Sequence, residues 1–198
     1  MLNGSPYMPA VKLELQAMAK PITCKGEIYE AVFRKQVQFL INAGVYGLAV
    51  GGSTGGGHGL SGKELARLVR AALAEARGRA PAVAGIIVDS TRQVIERAKA
   101  PADLGPATLQ ITPVYCLFRP DDGHMLEHFW AVGRATKIPI MIHNVVSWSY
   151  LSSALSIRIL KEVPQVVGVK QSVGDMKLLA GFLLGRPARP GSSRPWMP

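Results

Sequence analysis

Apolar residues along this chain recur with two alternating periods, and the alternation predicts its elements. After an arm over residues 1–12 that contains Gly4, Pro6 and Pro9, the residues Leu13, Leu15 and Ala17 alternate with more polar neighbours. That two-residue period predicts a strand over 13–19. Lys25-Gly26-Glu27 reads as a turn, after which Ile28, Val32, Phe33, Val37, Phe39, Leu40 and Ile41 return at helical spacing until Asn42-Ala43-Gly44 supplies a stop. A short apolar run over 45–50 leads directly into Gly51-Gly52-Ser53-Thr54-Gly55-Gly56-Gly57. The same order then repeats. A helix over 62–77 leads to a strand over 81–88, one over 91–100 to a strand over 108–111, and one over 125–136 to a strand over 139–143. A helix over 152–162 leads to a strand over 166–170, and a last helix runs from Asp175 to about Leu184.

Strands that alternate with helices of this length predict βα units and a parallel sheet, because parallel neighbours need a crossover. Six units fit either an open doubly wound sheet or most of a (β/α)8 barrel. Polar residues favour the barrel. Ser53-Thr54, Thr112 with Tyr115, His143-Asn144 and Lys170 fall at or just after the C-terminal ends of four different strands, where such a barrel gathers its chemistry. A dinucleotide fold would concentrate its signal in one early glycine turn. Residues 51–57 follow the second strand instead and lack a clean G-x-G-x-x-G. The expected fold is therefore α/β, a TIM barrel of the (β/α)8 type left incomplete at about six units.

Composition narrows the class. With 48% hydrophobic and 18% charged residues over 198 positions, the chain can bury one sizeable core and is not disordered overall. It has no apolar run long enough to span a bilayer and no secretory leader pattern in its first thirty residues, so a cytoplasmic location without membrane contact is expected. Cys24 and Cys116 are too few and too far apart for a metal cluster or a disulfide framework, and read as reduced thiols. A net charge of +10 raises the question of nucleic acid, but its distribution answers against one. Lys177, Arg186, Arg189 and Arg194 follow Met176 without any acid, which leaves 19 basic against 13 acidic residues, or +6, on the rest. No basic stripe with interleaved aromatics is present in that part. The excess of positive charge favours anionic substrates.

One stretch stands out chemically. Val166-Val167-Gly168-Val169-Lys170-Gln171-Ser172 places β-branched residues around a glycine, the pattern of a strand buried on both faces, with a lysine at its C-terminal end. A lysine that is partly desolvated there loses some preference for its charged form, and its neutral amine can attack a carbonyl to form a Schiff base. The competing reading is a lysine that snorkels to water. Ser53 and Thr54 are equally suited to turn formation or helix capping, and Tyr115 to packing with its hydroxyl satisfied.

With these motifs in order, the sequence resembles the dihydrodipicolinate synthase/N-acetylneuraminate lyase family over nearly its whole length to about Leu184. Gly52-Ser53-Thr54-Gly55 with Leu60-Ser61 looks like the family's second-strand loop, Thr112-Pro113-Val114-Tyr115 like its T-P-x-Y motif, Asn144-Val145 like the residues after its fifth strand, and Gly168-Val169-Lys170 like its lysine strand. The resemblance implies a (β/α)8 barrel and a lyase, an aldolase or dehydratase that needs neither metal nor other cofactor and acts on a small 2-oxo acid such as pyruvate. Lys170 would form the Schiff base, Thr54 would hold the substrate carboxylate, and Ser53 with Tyr115 would relay protons. A homo-oligomer is also implied.

Departures from the family pattern are equally specific. His143 stands where the family has a tyrosine that donates and accepts the principal proton, and imidazole is suited to that task. Ser147-Trp148 replaces an arginine that binds a second carboxylate; an indole cannot make that bidentate pair, which argues against aspartate semialdehyde as the second reactant. Gly56 replaces a common glutamate. Residues 1–184 are expected to form the partial barrel, and residues 185–198, with four prolines and no apolar period, a disordered Pro/Arg-rich tail. That change of character suggests a truncated or frame-shifted end. An incomplete barrel would leave its first and sixth strands as edges, placing folding, activity and the family's oligomer in question. The alternative reading is thus an inactive barrel fragment that retains the motifs, with a basic-tail binding protein as a weaker third.

Overall fold

Every crossover between the parallel strands of this chain contains a helix. The computed structural model describes residues 15–117, 119–172 and 174–185. In it β1 (Leu15–Ala17) precedes α1 (Glu30–Asn42), β2 (Gly47–Val50) precedes α2 (Gly62–Ala76), and β3 (Ala82–Ile86) precedes α3 (Thr91–Lys99). β4 (Thr108–Ile111) is followed by α4 (Asp122–Ala135), β5 (Ile140–Asn144) by α5 (Ser153–Glu162), and β6 (Val166–Gln171) by α6 (Met176–Gly185). The strands form one sheet in the order β1-β2-β3-β4-β5-β6, every pair parallel. Right-handed crossovers in strictly sequential order put the helices on one side. This is the winding of a barrel; a doubly wound sheet reverses its order and covers both faces. Six βα units of an incomplete (β/α)8-type barrel are therefore present.

Side chains alternate across each strand, so the two faces differ in kind. Leu48, Val50, Ala84, Ile86, Leu109, Ile111, Ile140 and Ile142 share one buried core with Phe33, Leu65, Leu68, Val69, Val94, Phe129, Val132, Leu155 and Ile159 of the helices. Each such aliphatic or aromatic side chain contributes about 1.5–3 kcal/mol on full burial. The opposite, inward face is mostly small or polar: Ala17, Ala49, Val83, Gly85, Thr108, Gln110, Met141, His143, Gly168 and Lys170 follow one another through the register.

Most predicted elements are present with shifted ends. Leu13 lies outside the described residues, and β1 starts at Leu15. Val45 belongs to the end of α1 rather than to β2: Gly44 N–H donates to Ile41 O (3.0 Å) and Val45 N–H to Leu40 O (3.3 Å), with Gly44 at φ +81°. That is a Schellman turn, whose left-handed position glycine fills without strain. α4 begins at Asp122, earlier than its apolar period, because Asp121 Oδ1 accepts from His124 N–H at 2.9 Å and caps it. α2 starts with a capping box in which Ser61 Oγ accepts from Glu64 N–H (3.2 Å) and Glu64 Oε2 from Ser61 N–H (2.8 Å).

The predicted two-sided burial of β6 is corrected. Only Val166 is buried, and Val167 through Gln171 are half-buried, because β6 is the last strand in the order of the sheet. Gly185 closes α6 rather than opening a tail, and residues 186–198 lie outside the described residues. Cys24 and Cys116 are exposed and unbridged. Among the described residues no helix is long and apolar enough to cross a membrane.

Candidate active site

Strand register brings three polar side chains to one place. His143 is level with Lys170, and Gln110 is level with Met141, one inward position below His143. Paired residues in a parallel sheet face the same side. Gln110, His143 and Lys170 therefore project inward from β4, β5 and β6, while Ile111, Ile142 and Val169 turn toward the helices.

Lys170 Nζ lies 3.4 Å from His143 Nε2, and His143 Nδ1 lies 2.8 Å from Gln110 Nε2. The imidazole is completely buried, and the lysine is half-buried. Burial pushes the His143 pKa down to about 4, with the positive charge of Lys170 acting in the same direction. Burial likewise lowers the Lys170 ammonium pKa below the ordinary lysine value. Two cationic groups at this distance and short of water repel, and a neutral His143 relieves that repulsion. A neutral strand-end amine on an inward face is a nucleophile for a carbonyl.

Gln110 is the site residue that sequence reading missed. Its signal was present in β4 and the residue that follows it, where Thr108, Gln110 and Thr112 alternate with Leu109 and Ile111. All three polar residues are buried, and Thr108 Oγ1, Gln110 Oε1 and Thr112 Oγ1 have no hydrogen-bond partner among the described residues. Such a column on an otherwise apolar strand marks a polar interior.

The loop over 51–57 is folded by its own backbone. Gly55 and Gly57 N–H groups both donate to Gly52 O, and Gly56 N–H to Ser53 O. A Cβ on Gly55 would overlap the Met18 carbonyl, and one on Gly57 the Gly51 carbonyl, so the close approach of these segments requires glycine. Ser53 and Thr54 stand exposed at the tip. A Cβ on Gly52 would be 3.8 Å from Gln110 Nε2, which places the loop over the inward polar group.

Tyr115 is half-buried, and its ring meets Trp148 edge-on at 6.4 Å. Burial first, and then the charge of Asp89, raise its phenol pKa, keeping it protonated. Trp148 Nε1–H donates to Tyr115 O at 2.7 Å, and Ser149 Oγ–H to Val114 O at 2.6 Å, tying together the loops that follow β4 and β5. Asn144, one residue past His143, faces the other way: its side chain bonds Leu151 N–H and Leu151 O at 2.9 and 3.2 Å and anchors the start of α5. Of the predicted residues, Lys170 and His143 are thus in direct contact. Among the described residues no hydrogen bond joins Ser53, Thr54 or the Tyr115 hydroxyl to them or to one another. No group of three His, Cys, Asp or Glu able to hold a metal occurs among the described residues.

Known proteins share the fold that carries this site. A 4-hydroxy-tetrahydrodipicolinate synthase of Exiguobacterium sibiricum is 31% identical over 86% of this chain, and the chain spans 58% of that relative's length. The crystal structure of dihydrodipicolinate synthase from Bacillus anthracis superposes with a TM-score of 0.81 at 27% identity, covering 87% of this chain and 59% of that one. The chloride-inhibited enzyme of Acinetobacter baumannii, solved in complex with pyruvate, gives 0.79 at 26% identity over 87% of this chain and 60% of its own. Residues 11–183 match the family model of the dihydrodipicolinate synthetases, and with sequential βα winding and an inward lysine on β6 the chain belongs to the dihydrodipicolinate synthetase family.

Proposed function

We propose that this chain is a lyase of the aldolase or dehydratase kind that forms a Schiff base between Lys170 and pyruvate or a related 2-oxo acid. The observation that carries the reading is the half-buried Lys170 amine, 3.4 Å from a buried imidazole on the inward face of the sheet. Its depressed pKa leaves a larger neutral fraction near pH 7 than an exposed lysine has. The Nζ lone pair forms the N–C bond to the keto carbon as the carbonyl π electrons move to oxygen. Transfer of a proton from nitrogen to that oxygen gives a carbinolamine. Loss of the oxygen as water, with one further proton, leaves an iminium that accepts electrons from the neighbouring carbon.

In this reading Thr54, exposed with its loop over the interior, binds the substrate carboxylate by hydroxyl and backbone N–H. Ser53 and the protonated Tyr115 hydroxyl carry protons between substrate and solvent. His143 faces the oxygen that leaves. Trp148 beside Tyr115 argues against aspartate semialdehyde as the second reactant, because the indole carries no charge and its one N–H is already given to Tyr115 O. The protein works in the cytoplasm without a cofactor, as a self-associated assembly. The organic acid, not nucleic acid or membrane, is its partner.

Borohydride reduction in the presence of pyruvate tests the reading. A mass increase on the Lys170 peptide, lost in Lys170→Met, is the expected result. A folded chain that gains no mass identifies an inactive member that keeps the motifs; its span of 58% of a curated relative's length gives that outcome its interest.

A further inference from the structure

We infer that Gln110 is a positioning residue that holds His143 in the Nε2–H tautomer, so that a neutral imidazole N–H rather than a ring lone pair faces the Lys170 amine. The inference rests on the proposed function for its catalytic meaning, but its geometry stands alone. An amide nitrogen donates and does not accept. With the amide placed so that Gln110 Nε2 is 2.8 Å from His143 Nδ1, Nδ1 is the acceptor, and the proton of a neutral ring sits on Nε2. That N–H lies toward Lys170 Nζ, 3.4 Å away, and the arrangement belongs to the uncharged form of the amine, the form that reacts, whose lone pair receives the N–H. His143 is completely buried and Gln110 equally so, which removes water as a competing partner for either nitrogen.

The consequence is a different role from the proton carrier that the histidine at this position suggested. A neutral ring with its proton on Nε2 has no free lone pair toward the amine, and imidazolium is scarce near neutral pH for a ring held to about 4. What remains is hydrogen-bond donation. When Nζ adds to a carbonyl carbon, the developing oxyanion lies next to that amine and within reach of the same N–H, which stabilises it without transferring the proton. Proton movement is then left to Tyr115, Ser53 and water. Gln110 secures this by denying Nδ1 a proton, and its own Oε1 is left buried without a partner among the described residues. The amide turned over would place Oε1 against Nδ1–H, and His143 would then be a base toward Lys170.

Long-range ¹H–¹⁵N correlation of the full chain with labelled histidine decides between the two, His143 being identified by the signal lost in His143→Gln. The expected spectrum near pH 7.5 shows a pyridine-like Nδ1 and a pyrrole-like Nε2. The reverse pattern in the wild-type chain overturns the inference, whatever the variants do. Gln110→Glu puts a carboxylate against Nδ1 and is expected to reverse the tautomer. It should also move the acid limb of the pyruvate-trapping profile upward by about one pH unit, the size of a near charge effect on a pKa. Gln110→Met keeps the volume but removes the donor. It should average the two tautomers and lower the trapping rate about tenfold, the equivalent of one hydrogen bond. Unchanged tautomer and unchanged profile in both variants also reject the assignment. A wild-type chain that shows the Nε2–H pattern but traps no pyruvate leaves the assignment in place and rejects the proposed function instead.

Discussion

His143 and His128 have a thermodynamic cost that follows directly from their burial. His128, on α4, is almost fully enclosed with its Nδ1 2.9 Å from Thr91 Oγ1, and burial lowers its pKa to about 4. His143 is lowered to about 4 by burial and then by Lys170. An unfolded histidine titrates near 6.5. Between these values the unfolded chain binds protons that the folded chain does not, so stability falls as pH drops from about 6.5 toward 4 and is unaffected by these rings above that window. The ceiling is on the order of 3 kcal/mol for each ring by pH 4. Urea midpoints should therefore drop steeply between pH 6.5 and 4.5, above the range where most carboxylates protonate. His128→Gln and His143→Gln should each flatten the drop. Equal midpoints at pH 7 and 4.5 would contradict the burial of both rings as charge-free groups.

At the level of elements, the loop that carries Ser53 and Thr54 depends on β3. A Cβ added to Gly85 would overlap the Gly51 carbonyl and lie 2.8 Å from Gly52 N, all of it backbone that cannot rotate aside. Gly85→Ala should cost about 3 kcal/mol, the upper part of the range for overpacking. It should also move residues 51–57 and slow pyruvate trapping together with stability. Gly168→Ala is the control, because its Cβ meets nothing within 4 Å; it should change stability by no more than about 0.5 kcal/mol. A Gly85→Ala chain as stable and reactive as the control would sink the argument. These contacts also mark how far the sequence was readable. The alternation of helical and strand periods predicted all six strands and helices, and strand ends pointed to Lys170 and His143. Ends were misplaced where capping outweighed apolar period, as at Val45 and Asp121. Gln110 stayed hidden because it is mid-strand, and its meeting with His143 depends on the register of β4 against β5, which no local pattern specifies. β6 was misjudged because burial on two faces needs a neighbour on each side, a property of the sheet and not of the strand.

For the whole molecule, the distribution of apolar surface matters more than any single contact. α6 carries Leu178, Leu179, Phe182, Leu183 and Leu184 with Lys177 as its one charge, yet none of its residues is buried. A helix apolar around most of its circumference normally lies inside a core or an interface. Here it rests on α5, where Ser153 Oγ–H donates to Leu178 O at 2.6 Å, and the outer side is open, with Leu184 89% exposed. Beside it, β6 is only half-buried. Contiguous apolar surface of this kind favours association in water, and a net stability of about 5–15 kcal/mol leaves a domain little tolerance for exposing it. The full chain should sediment as a concentration-dependent oligomer. Leu183→Ser with Leu184→Ser should shift it toward monomer without loss of helix, since both side chains are already exposed and their replacement leaves the core over β2 to β5 intact. If the unaltered chain instead sediments as a monomer at every concentration and melts in one cooperative transition, the exposed face of α6 is stable in water and the self-associated assembly is wrong. The same runs bear on the site. Lys170 is on β6, against the region whose burial association would increase, so pyruvate trapping should rise with protein concentration in the wild type and lose that dependence in the double variant.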